Sequence, residues 1–109
     1  NIDFADIKTV FNYKGKAYMG IGKAKGENRL IEAVKKAIEN PLTENKIDNA
    51  KGIIFNINGG ENLGLNEINN AIKLINDKIS VDANIMFGTV INRDLKDEVI
   101  ATVIATGIE

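Results

Sequence analysis

The order of periodic segments along these 109 residues predicts an α+β fold: a four-stranded sheet with two helices packed on one face, and a short N-terminal helix ahead of it. Three observations lead there. Two long segments carry apolar residues at helical spacing on one side only, so each helix has one face to bury. Four further segments alternate, or run apolar over the length of a strand. The connections are short and polar, with no linker, internal repeat or low-complexity stretch, so residues 1–109 read as a single domain.

Phe4, Ile7, Val10 and Phe11 fall on one side of a short helix that should stop near Gly15, a residue able to take the positive φ of a helix end. In Lys16 to Ala24, the residues Ala17, Met19 and Ile21 alternate with Lys16, Tyr18 and Gly20, which reads as a strand despite its two glycines. From Glu27 to Glu39 the apolar positions Leu30, Ile31, Val34, Ala37 and Ile38 have helical spacing, and Asn40-Pro41 ends the helix. A polar connection from Leu42 to Lys51 precedes a largely buried strand, Gly52 to Ile57, and Asn58-Gly59-Gly60 is a turn signal. Leu65, Ile68, Ile72, Ile75 and Ile79 then step by three, four, three and four, one continuous helical stripe. Its start resembles a capping box with Gly64 at the cap and Glu67 at the third helical position. Asn84 to Ile91 is the third strand, Asn92 to Asp97 a polar turn, and Glu98 to Thr106 a strand with two alternating rows. The last two strands, joined by so short a turn, are expected to form an antiparallel pair.

Composition narrows the chemistry. Apolar residues make up 44%, and 14 basic side chains balance 15 acidic ones for a net charge of −1. That balance argues against nucleic acid, which demands a basic excess on one face, and against a polybasic membrane contact. No charged-then-apolar leader opens the sequence and no run of about 18 apolar residues occurs, so the expectation is a cytoplasmic protein without a spanning helix. Cysteine and histidine are both absent. Disulfides, thiol chemistry, imidazole bases and Cys/His zinc sites are therefore excluded. Any chemistry falls to carboxylates, lysines, hydroxyls or backbone groups.

Asp3 and Asp6 stand three apart at a helix start. Their simplest role is to cap free N–H groups and favour the positive helix end. Two carboxylates at an exposed chain end could also orient a water or hold a cation. Gly20-Ile21-Gly22-Lys23-Ala24-Lys25-Gly26 fails as a dinucleotide fingerprint because its third glycine is one residue late, and as a Walker loop because Ala24 follows Lys23. A structural role, with small residues letting a helix lie close, fits it better. Asn58-Gly59-Gly60 could offer N–H groups to an anion but reads more simply as a tight turn. Lys35 and Lys36 lie on the solvated face of the first long helix.

Four segments together resemble the C-terminal domain of the FtsZ family, tubulin-like GTPases of the bacterial division ring. Asn1-Ile2-Asp3-Phe4-Ala5-Asp6-Ile7-Lys8-Thr9-Val10 resembles the family's synergy loop, Asn-x-Asp-Phe-Ala-Asp, and the helix after it. Gly15 to Gly22 resembles the strand with Met-Gly-x-Gly; Glu27-Asn28-Arg29 through Asn40-Pro41-Leu42 resembles the next helix and its stop. Thr102 to Gly107 matches the closing strand residue for residue. The sequence departs from the family pattern at Thr43, where a second leucine is common, at Asn62, usually aspartate, and at Gly64, usually a capping threonine.

The resemblance implies a division of labour. The family binds GTP with Mg2+ in an N-terminal domain whose Gly-Gly-Gly-Thr-Gly loop does not occur in this sequence, and a flexible tail follows the C-terminal domain. Both are expected to lie outside residues 1–109. Subunits of the family stack head to tail, so the partner is a second copy of the protein, and regulators of division meet the full-length form. Asp3 and Asp6 would be catalytic in trans, polarising water at the neighbouring subunit's GTP, with Asn1 bonding near the nucleotide and Phe4 and Leu65 at the same contact. The isolated domain would bind no cofactor and be inactive, and the protein would act in the cytoplasm at the septum. Two readings from other classes stand beside this one: a stand-alone small-ligand or interaction module, and a small acid–base enzyme using Asp3 and Asp6 in a closed pocket.

Overall fold

The computed structural model describes residues 12–39, 47–79 and 82–108; the short N-terminal helix expected from Phe4 to Phe11 lies outside them. Gly15, its expected stop, does have a positive φ of 114°. The elements run β1 (Lys16–Ala24), α1 (Arg29–Ile38), a 3-10 turn (Ile47–Asn49), β2 (Gly52–Gly59), α2 (Leu65–Lys78), β3 (Asn84–Ile91) and β4 (Val99–Ile108). The strands form one sheet in the order β1-β4-β2-β3, with β4 antiparallel to both neighbours and β2 parallel to β3. The fold is the predicted one: a four-stranded mixed sheet backed by two helices.

One expectation about pairing fails. β3 and β4 are not neighbours, because β2 lies between them. The reason is burial. Every residue of β2 and β4 is buried or half-buried, whereas β1 and β3 expose many residues. The strands with two faces to hide take the centre. The connection between β3 and β4 needs to cross only two strand spacings, roughly 10 Å, well within the reach of its residues.

The core is a single cluster between sheet and helices. Ile53, Phe55 and Ile57 of β2 and Val99, Ala101, Val103 and Ala105 of β4 face Leu30, Ala33, Val34 and Ala37 of α1 and Ala71 and Ile75 of α2. Phe55 meets Phe87 of β3 edge to face, with ring centroids 5.8 Å apart. α1 lies directly on β1 because Gly20 and Gly22 have no side chains there. A Cβ on either would fall 1.9 Å from a carbonyl oxygen of α1, that of Ala37 or Ala33. Tyr18 fixes the same contact by donating its hydroxyl to the Ala37 oxygen at 2.7 Å. The structural reading of the glycine segment is therefore the right one.

α2 corrects its predicted stripe. Ala71, Ile75 and Ile79 are buried and Ile68 is partly buried, but Leu65 is 71% exposed. At about 100° per residue Leu65 sits roughly 80° around the helix from Ile75, beside the buried face and not in it. Asn58 and Gly59, read as part of a turn, instead continue β2 and pair with Val90 and Ile91.

Candidate functional site

β2 and β3 end on the same side of the domain on which both helices begin. The connections that close this end are residues 60–64 and 92–98. They are held tightly against each other: the Asn92 N–H donates to the Gly59 oxygen at 2.8 Å, and Gly60 approaches the Leu95 oxygen so closely that a Cβ would lie 2.0 Å from it. Only glycine fits there. Between the connections lies a shallow cleft of about 320 Å³ lined by Glu61, Asn62, Arg93, Leu95, Lys96 and Asp97. Its charges are mixed, and the Arg93–Glu61 pair across it, at 2.5 Å, is exposed on both sides. Such a pair contributes little to stability.

Arg29 organises the end from beneath. It occupies the first turn of α1, where a cation opposes the helix dipole, and yet it is 6% exposed. Its guanidinium donates from Nε to Glu67 Oε1 at 2.7 Å and from Nη2 to Glu67 Oε2 at 2.9 Å, a two-point pairing. It also donates to the Asp97 oxygen at 3.0 Å, to the Asn62 oxygen at 3.3 Å, and to Asn62 Oδ1 at 3.5 Å. Three segments meet on one side chain. The bond to Arg29 holds the Glu67 carboxyl below its ordinary range, against the opposing pull of burial, and the Gly64 N–H assists. Arg29 is correspondingly raised, first by its bond to Glu67.

Glu67 links this ion pair to the start of α2. Its Oε2 accepts from the Gly64 N–H at 2.8 Å, one half of a capping box; glycine has no side chain to supply the other. Leu65, the first residue of α2, is thus fixed between a capped residue and a clamped one, and points its apolar side chain into solvent.

Of the sequence-predicted site residues, the structure places Leu65 alone. Asn1, Asp3, Phe4 and Asp6 lie outside the described residues. Lys36 is more than a solvated charge, since its Nζ donates to the Lys23 oxygen at 2.9 Å. Among the described residues no group of three or more His, Cys, Asp or Glu gathers as a metal site. Sequence reasoning missed Arg29. The signal was present, since an arginine in the first helical turn is unfavourable there unless an acid answers it.

Comparison with known proteins accords with this architecture. Residues 15–109 match the FtsZ family, C-terminal domain. The chain is similar to an empty FtsZ dimer of M. jannaschii, at 36% identity over 98% of this chain, with a TM-score of 0.87. It is similar to a mutant FtsZ from the same organism at 35% identity over 99%, TM-score 0.88. CetZ1 from Haloferax volcanii, a GDP-bound monomer, shares the fold at 19% identity over 99% of this chain, TM-score 0.77. The chain covers 31%, 32% and 34% of those three chains, about a third of their length. The chain belongs to the FtsZ family, and the fold described is that of the family's C-terminal domain.

Proposed function

We propose that residues 1–109 are the part of a self-assembling GTPase that completes the nucleotide site of the next subunit. The observation that carries this reading is the family match over residues 15–109, preceded in sequence by Asn1-Ile2-Asp3-Phe4-Ala5-Asp6. Self-association is supported by the similar FtsZ of M. jannaschii, described as a dimer. A head-to-tail contact uses different surfaces on the two partners, and where it does not close into a ring it grows a filament.

In this reading Asp3 and Asp6 meet the γ-phosphate side of the neighbour's GTP. Their carboxylates orient the attacking water and help place Mg2+, a hard cation suited to oxygen ligands. Phosphoryl transfer depends mainly on positioning and charge stabilisation, so two well-placed acids can control the rate without a histidine. Asn1 donates a hydrogen bond beside the nucleotide, and Phe4 and Leu65 add apolar contact. Bound alone, this domain has no GTP to act on and is inactive. The full-length protein works in the cytoplasm at the division septum.

The test is GTP turnover by the full-length protein carrying Asp3→Ala or Asp6→Ala, at concentrations where it still assembles. A fall of about a hundredfold or more is expected from loss of a water-positioning group. Turnover equal to the parent would remove Asp3 and Asp6 from the reaction.

A further inference from the structure

Among the described residues Arg29 alone is both charged and buried. The guanidinium is taken out of water while the Glu67 side chain stays 32% exposed. Burying one charge of a pair costs free energy that its partners must offset, and the best-attested use of such a group is to fix one geometry among several. What this pair fixes is specific. Arg29 grips both oxygens of Glu67, and Glu67 Oε2 grips the Gly64 N–H. Gly64 and Glu67 flank Leu65 in the first turn of α2. The same guanidinium ties down Asn62 on the approach to that turn and Asp97 on the adjoining connection. All five guanidinium N–H groups are used, so its position is fully determined. A lysine could supply the charge but not the fork.

Leu65 itself has the form of an interface anchor. It is a large apolar side chain, 71% exposed, on the rigid first turn of a helix instead of a loose loop. We propose that Arg29 is a positioning residue for self-association: it locks the first turn of α2 so that Leu65 is presented to a second copy of the protein. This rests on the reading that this end of the domain meets the next subunit.

The experiment is a double-mutant cycle in the full-length protein, with Arg29→Met, Leu65→Ala and the pair together. The readout is the critical concentration for GTP-dependent assembly, measured by sedimentation. Each single change is expected to raise it about tenfold, and the pair little more than either alone, because residues acting through one contact are not additive. Thermal melts report whether Arg29→Met folds; if it does not at the assay temperature, Glu67→Gln replaces it in the cycle and should couple to Leu65→Ala in the same way. If the two effects simply multiply, or if Arg29→Met assembles like the parent, Arg29 does not act through Leu65. If Leu65→Ala itself leaves assembly unchanged, this end of the domain is not the contact, and the functional reading of the surface fails with the inference. If Leu65→Ala matters and Arg29 does not, only the inference fails.

Discussion

Gly22→Ala is the smallest change that tests how α1 is seated. The added Cβ would lie 1.9 Å from the Ala33 oxygen, 2.9 Å from the Ala33 carbonyl carbon and 2.8 Å from Lys36 Cβ. The first two are backbone atoms in the middle of a helix whose Leu30, Ala33, Val34, Ala37 and Ile38 are all buried. Reaching ordinary contact at 3.4 Å requires the helix to retreat by about 1.5 Å at that point. Overpacking of this kind costs about 1–3 kcal/mol, and an obstacle made of backbone puts this case near the top of that range. Alanine regains about 0.5–1 kcal/mol by ordering less backbone than glycine does in a strand. The net expectation is a loss of roughly 2 kcal/mol, which for a domain of this size lowers Tm by roughly 10 °C. Urea unfolding should show a lower midpoint with an unchanged slope. A variant as stable as the parent would refute the close seating of α1 on β1.

Acid should weaken the domain in a way that Glu67→Gln removes. The Glu67 pKa is lowered in the folded state, so its contribution is present above the ordinary carboxylate value and is lost as pH falls through the depressed one. Urea unfolding between about pH 5 and pH 3 should therefore lose stability faster in the parent than in Glu67→Gln, while Arg29 stays charged throughout; parallel profiles would contradict the ion pair's role. Gly64→Ser should stabilise α2 by a few tenths of a kcal/mol, because the serine oxygen supplies the missing half of the capping box at an extended residue with φ −94° and ψ 149°. An unchanged midpoint would mean that the first turn is already fully satisfied.

The sequence carried the elements far better than their neighbours. In β4 the row Val99, Ala101, Val103, Ala105 alternates with Ile100, Thr102, Ile104, and the two rows do face opposite sides. Helical spacing located α1 and α2 because each has one stripe to bury. Spacing could not show that Leu65, in phase with Ile68 and Ile72, stands at the flank of that stripe, since periodicity records regular intervals and not the centre of contact. Strand order was lost for a related reason. A short connection suggests a pair, but the choice of central strand depends on burial of both faces at once, a property of the whole sheet. Arg29 went unread because its answering acid is 38 residues away, and no local pattern joins them. Asp3 and Asp6 lie outside the described residues, and their proposed role rests on the family motif alone, since by spacing two acids three apart read equally well as helix caps.

The claim that this domain acts in trans is tested most directly by adding the intact 109-residue chain to full-length subunits that carry Asp3→Ala and measuring GTP turnover. Turnover should rise with the intact chain and not with a chain carrying Asp3→Ala and Asp6→Ala, because the added copy completes sites that the subunits cannot complete for one another. Equal stimulation by both chains, or GTP turnover by the chain alone, would contradict the account.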